Sequence, residues 1–178
     1  MLRTCAGGGL VLLTLLLGQA CVAGEVQKFY YLGDVKVSSE GGEPRPGGVI
    51  LVEKAQDPDK GVIVERAIEI KADRSVSEYV MTLKVSGNSF TITDAKNTIH
   101  GSGTLFGPAW KWTYFKGTFE AENGARIEDE NFMADPSVGC ARKKVYAPDG
   151  KVVMVMEVTL KAVTQQTFEV LAGALVKK

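Results

Sequence analysis

Residues 104–115 read TLFGPAWKWTYF, which places Trp110, Trp112 and Tyr114 at every second position, with Phe115 beside them. On an extended strand alternate side chains share a face, so two indoles and a phenol are expected side by side, with Lys116 next in phase. Further on, Asn123-Gly124 suits a tight type I′ hairpin turn, because both residues tolerate positive φ. Pairing back from that turn sets Phe115 opposite Phe132 and Tyr114 opposite Met133. One face then holds Trp110, Trp112, Tyr114, Lys116 and Thr118 together with Asp129, Asn131 and Met133. Aromatic walls carrying a few polar groups are the usual composition of a small-molecule cavity. The candidate ligand-binding set is therefore Trp110, Trp112, Tyr114, Lys116 and Asn131. The same stripe also fits the closed end of a packed core with charges at its rim, the commoner use of such residues. An enclosed void of roughly a few hundred Å³ would distinguish a site from packing.

Other chemistry-bearing residues are sparse. His100 is the only histidine, so a multi-histidine metal site is excluded, and a Ser–His–Asp triad would have to be built around it. Glu120, Glu122, Glu128, Asp129 and Glu130 crowd one hairpin. Paired carboxylates can serve general acid–base chemistry or bind a hard cation, but acids at a hairpin end are ordinarily solvated. Asp129 and Glu130 are the acids nearest the Trp face. Asp57-Pro58-Asp59-Lys60-Gly61 is too short for a calcium loop and reads as a turn. The glycines of HGSGTLFG precede no helix whose N-terminus could receive phosphate. With no nucleophile beside a base and no metal-ligand spacing, the expectation is a non-enzyme without metal or cofactor.

The 178 residues carry 21 Lys plus Arg against 21 Asp plus Glu. Zero formal charge gives no pull towards nucleic acid or an anionic membrane. Arg142-Lys143-Lys144 is expected to divide between the two sides of a solvated strand. At the N-terminus, Arg3, the apolar run GLVLLTLLLG and the small residues of QACVAG form a secretory signal peptide over residues 1–24. That run is too short to span a membrane, and no later segment could. Cleavage is expected near Ala23-Gly24, giving a secreted or periplasmic domain over 25–178. A cut after Ala20 would instead leave Cys21 for lipidation and make an outer-membrane lipoprotein, the one route by which a membrane becomes a partner. Once the signal has left, Cys140 stands alone as a small strand residue, and no internal disulfide is possible.

The elements that must position these residues alternate in polarity with a period of two. EYVMTLKV and KVVMVMEVTLK each set one apolar face against one polar face, and GVIVERAIEIK changes phase near Arg66, which suggests a bulge. SSEGGEPRPGG reads as a long flexible loop after the first strand. The C-terminal TQQTFEVLAGALVKK suits either a last strand or a short helix. Turn sequences such as SGNS, APDG and ENGA punctuate the runs. About ten strands joined by short links pair antiparallel with their neighbours. A meander of that many twisted strands closes into a single all-β barrel, which also removes its edges.

The GSGTLFGPAWKWTY stretch and the NGARIEDENF hairpin resemble small bacterial lipocalin-like (calycin) barrels, which are exported proteins. The glycine–any–tryptophan signature of true lipocalins belongs on the first strand, where this chain has FYYLGDV with Gly33 and no tryptophan. The resemblance thus implies the fold and transfers no ligand or catalytic residue. The function expected is binding of a small apolar or amphipathic ligand in an aromatic-lined lumen. The alternative is a structural or interaction protein of the cell envelope.

Overall fold

A computed structural model describes residues 25–96, 99–121, 124–135 and 137–176. The expected signal segment with Cys21, and residues Glu122 and Asn123 at the proposed turn, lie outside the described residues. Among the described residues the strands are β1 (Gln27–Ser38), β2 (Arg45–Asp57), β3 (Val62–Lys71), β4 (Val76–Ser86) and β5 (Ser89–Asp94). They continue with β6 (Ile99–Phe106), β7 (Tyr114–Ala121), β8 (Arg126–Asp135), β9 (Val138–Tyr146) and β10 (Val152–Ala162), and one helix follows, α1 (Gln165–Val176). Each strand pairs antiparallel with the next, and β10 returns to β1, so the sheet closes into a ten-stranded barrel. It is the lipocalin-like architecture that the period-two pattern implies.

Two apolar clusters fill the interior. One gathers Tyr31, Val35, Ile50, Val52, Ala67, Ala141 and Val158. The other gathers Ile63, Met81, Leu83, Phe90, Ile92, Leu105 and Phe119, with Trp110, Trp112 and Phe115 packed against it. Small residues make room for the large ones. Gly103 lies beneath the Phe90 ring, and a Cβ there would collide with that ring and with the Lys116 carbonyl.

The C-terminal segment is a helix, which settles the strand-or-helix alternative. Thr164 caps it, its Oγ1 accepting from the Thr167 N–H at 3.1 Å, which satisfies one of the free donors of the first turn. Phe168, Leu171, Ala172 and Leu175 recur at helical spacing and lie on the outside of the barrel against Tyr30, Leu32, Leu51 and Ile68. This covering explains the apparent phase change in β3. Ala67 and Ile68 are adjacent and both fully buried, the first facing the lumen and the second lying under α1. The bulge expected at Arg66 is therefore absent: β3 pairs without a register shift to both β2 and β4. A shift occurs instead between Val35 and Lys36, where β1 pairs with β2. The glycine-rich loop is also shorter than expected, because β2 begins at Arg45. Gly48 sits there at φ 132°, with the Ile70 carbonyl where a Cβ would be, so only glycine fits.

Candidate functional site

The β7–β8 hairpin fixes the site, and its register differs by one residue from the sequence-based expectation. Tyr114 pairs with Phe132, and Phe115 with Asn131. A one-residue slip exchanges the two faces of a strand, and burial decides which is correct: this register puts Phe119 opposite Ile127 inside the barrel. Tyr114 and Lys116 consequently point outwards. The Tyr114 ring packs on Phe106, with centroids 5.2 Å apart, and Lys116 forms an exposed ion pair with Glu130 at 3.0 Å. Asp129 and Glu130 fall on opposite faces of β8, one inside the barrel and one outside, so these two acids do not work together on one substrate.

Trp110 and Trp112 belong to the connection between β6 and β7, not to a strand. Lys111 N–H donates to the Pro108 carbonyl at 2.9 Å, closing a turn. Trp110 takes a φ of 60° there, a left-handed conformation that costs a bulky residue on the order of 1–3 kcal/mol. The connection is tied at both ends. Thr113 N–H donates to the Phe106 carbonyl, and the Met133 N–H donates to the Thr113 carbonyl at 2.7 Å. The two indoles stack at a tilt with centroids 4.9 Å apart. Trp112 reaches inside, where its Nε1–H is shielded from solvent and has no hydrogen-bond partner among the described residues.

Below Trp112 the lumen holds a cavity of about 70 Å³. Its apolar wall comes from residues such as Ile63, Leu83, Ile92, Leu105 and Phe119, and its polar wall from Lys54, Gln56, Glu65, Asp129 and Asn131. This volume is well below the roughly 300–1,000 Å³ of drug-sized ligand pockets and short of the few hundred Å³ expected to distinguish a site, so by size the stripe reads as packing. It exceeds the roughly 10–15 Å³ that one water requires.

The polar wall is a belt of charge inside the barrel. Lys54 Nζ lies 3.5 Å from Glu65 Oε2, and Lys143 Nζ lies 3.3 Å from Asp129 Oδ2. Asn131 lies two residues beyond Asp129 on the same face and donates from Nδ2 to its Oδ1 at 2.9 Å. Asp129 is only 3% exposed. Burial pushes its carboxyl above the usual carboxylate range, and the ammonium of Lys143 only partly offsets this. Burial alone would lower Lys143, but Asp129, Tyr79 and Glu65 around it outweigh that and hold the ammonium well above the ordinary lysine value. The Tyr79 phenol is raised by burial. Tyr31 is pushed up to about 12 by burial and by the charge of Glu65.

Of the candidate ligand-binding residues, the structure brings Trp112, Tyr114 and Asn131 to the lining of the cavity, although the Tyr114 ring packs on Phe106, stacks Trp110 on Trp112, and turns Lys116 to the outside. Lys143 is not the solvated strand residue expected from its neighbours. Lys54, Glu65 and Lys143 are the lumen residues that the sequence analysis missed, and a signal for them exists. Each stands in phase with the apolar residues of its own strand: Lys54 with Ile50 and Val52, Glu65 with Ile63 and Ala67, and Lys143 with Ala141 and Val145. The remaining sites are unremarkable in placement, with His100 and Cys140 both exposed strand residues. Among the described residues no three His, Cys, Asp or Glu side chains gather as a metal site would need. None of the described helices is long and apolar enough to cross a membrane.

No protein-family model matches the chain, and no curated protein matches its sequence. Solved structures do. A Nostoc punctiforme protein of unknown function from the DUF3598 family superposes with a TM-score of 0.56 at 11% identity, over 76% of this chain and 47% of that one. The S-type phycobiliprotein lyase CpeS of Guillardia theta superposes with a TM-score of 0.53 at 11% identity, over 77% of this chain and 88% of that one. This chain thus spans about half the length of the Nostoc protein. At such identities the likeness is one of fold alone.

Proposed function

We propose that the protein is an exported, non-catalytic barrel that holds a small apolar or amphipathic ligand in its lumen beneath Trp112. The observation that carries this reading is the mixed wall of the cavity below Trp112, where Ile63, Leu83, Ile92, Leu105 and Phe119 meet Lys54, Gln56, Glu65, Asp129 and Asn131. Apolar residues hold a ligand's body while a few polar groups orient it. The calycin-like neighbours support it at the level of fold, and one of them is described as a lyase. For this chain the separation of Asp129 from Glu130 across the barrel wall favours binding over acid–base catalysis.

Both tryptophans belong to the β6–β7 connection, so their fluorescence reports directly on the mouth of the lumen. Titration with a panel of small lipids and apolar dyes is expected to give a saturable change that Trp112→Phe diminishes. If no member of the panel gives a saturable signal, the reading fails.

A second reading, an interaction protein of the cell envelope, is favoured by one observation. Phe106, Tyr114 and Phe132 form a row across three neighbouring strands on the outer wall, and both phenylalanines are nearly half exposed. In this reading Cys21 carries a lipid anchor, and mass spectrometry of the mature N-terminus is the test. A chain starting at Gly24 or Glu25 removes the anchor.

A further inference from the structure

We propose that the outer face of β8 and β9 is a self-association surface, on which a second copy of this chain sits with its β9 over β8 and its β8 over β9. The inference goes beyond the lumen and holds whether or not a ligand occupies it. Three observations on the outer wall carry it.

The first is charge complementarity set by the strand register. Phe132 stands opposite Cys140, Glu130 opposite Arg142 and Glu128 opposite Lys144. Asp129 and Lys143 lie between them and face inwards, so alternation turns these six side chains outwards. A two-fold axis along the strands, midway between β8 and β9, lays each of the six over its own register partner in the second copy. Every acid then meets a base, and the face is complementary to itself, as an interface of this symmetry has to be. The pattern continues sideways. Lys116, Glu130, Arg142 and Glu157 form one row across β7 to β10 and alternate in sign. Within one copy they are joined only as exposed pairs, Lys116 with Glu130 at 3.0 Å and Arg142 with Glu157 at 3.9 Å. The same axis sets Lys116 over Glu157 of the second copy. Alternating signs give nucleic acid or an anionic membrane no positive excess to seek.

The second is an apolar anchor. Phe132 is 49% exposed, and Val138, in phase with Cys140 on β9, is 42% exposed. Aromatic side chains are the usual anchors of protein interfaces, and this one comes to lie over Cys140 of the second copy. The third is area. Four strands about 4.8 Å apart, over seven residues rising about 3.4 Å each, cover roughly 450 Å² on each copy. The two together approach the roughly 1,000 Å² lower limit of a specific interface. Facing sheets pack with their strands nearly aligned, as this axis requires. The dimer is therefore weak, with a dissociation constant of about micromolar or above.

Sedimentation equilibrium of the purified protein tests this, in reductant and low salt, over about three decades of concentration around micromolar. The parent is expected to pass from monomer to dimer across that range. Glu130→Arg and Arg142→Glu each set like charges across the axis, and each is expected to weaken the dimer about tenfold or more. Mixed in equal amounts, the two variants are expected to regain the parent's affinity, because each opposes the charge that the other carries. Phe132→Ser is expected to weaken the dimer as well. Should a charge variant lose the parent's circular dichroism, Glu128→Lys and Lys144→Glu make an equivalent pair one row along.

A parent that stays monomeric over the whole range overturns the inference. So does a dimer that the single variants leave intact, which lies on another face, and so does a mixture that associates no better than its components.

Discussion

Asp129 on β8 and Lys143 on β9 stand directly opposite each other inside the barrel, with Oδ2 and Nζ 3.3 Å apart and Asn131 holding the other carboxylate oxygen. An ion pair in such a place is a poor stabiliser, because the desolvation of two charges offsets most of their attraction. Losing one partner, by contrast, strands the other in a low-dielectric interior. Asp129→Asn or Lys143→Met alone is expected to cost about 3–5 kcal/mol. The double variant is expected to return close to the parent or above it. Urea unfolding of the four proteins gives the coupling energy, and a double variant as weak as the sum of the singles would contradict this account.

Tyr31 makes a second prediction, about alkaline pH. Its phenol is 4% exposed and raised to about 12, against 10.0 for a free tyrosine, first by burial and then by Glu65. In the unfolded chain it ionises near pH 10, while the folded protein keeps the proton. The stability this confers is complete below pH 10 and is lost as pH rises from there through about 12. The loss is on the order of 3 kcal/mol. Tyr31→Phe is expected to flatten that part of the stability–pH curve, which chemical denaturation at a series of alkaline pH values would show.

The helix seals an apolar outer wall. Phe168 is 2% exposed, and its ring lies 5.3 Å from that of Tyr30, centroid to centroid. Phe168→Ala is expected to cost about 3–5 kcal/mol and to expose Leu51 and Ile68. Increased binding of a hydrophobic dye, with the β-sheet circular dichroism retained, is the accompanying readout.

Two glycines are expected to respond in opposite directions to the same substitution. Gly48→Ala meets the Ile70 carbonyl at a φ unfavourable to any side chain, and is expected to destabilise by more than about 2 kcal/mol. Gly173 lies in α1 with nothing within 4 Å of a new Cβ. Gly173→Ala is expected to stabilise by about 0.4–1 kcal/mol, because alanine loses less backbone freedom in a helix. Thermal unfolding of both variants checks the pair.

These contrasts also explain what the sequence could and could not reveal. The strands were legible because each buries one face, and the closed meander follows from their short links. The apparent break in β3 misled because alternation assumes a single buried face, whereas Ile68 is buried from outside by a helix more than ninety residues later. The hairpin register was open to error because it hinges on loop length: Glu120 pairs with Arg126, where the expected two-residue turn would have paired Ala121 with it. One residue of difference carried Lys116 and the ring of Tyr114 to the outer face while Asn131 remained inside. The charged belt was hidden for a related reason. Lys143 lies between two other basic residues and reads as surface until its partner on the neighbouring strand is known.

The pairing of β1 with β10 has a consequence for how the molecule is made. The first and last ribbons cannot meet until β10 has left the ribosome, and the helix that shields β1 through β3 emerges later still. Contacts this distant in sequence are slow to form. Until then the growing product keeps two open margins and a bare patch at Leu51 and Ile68, a form that holdase chaperones recognise.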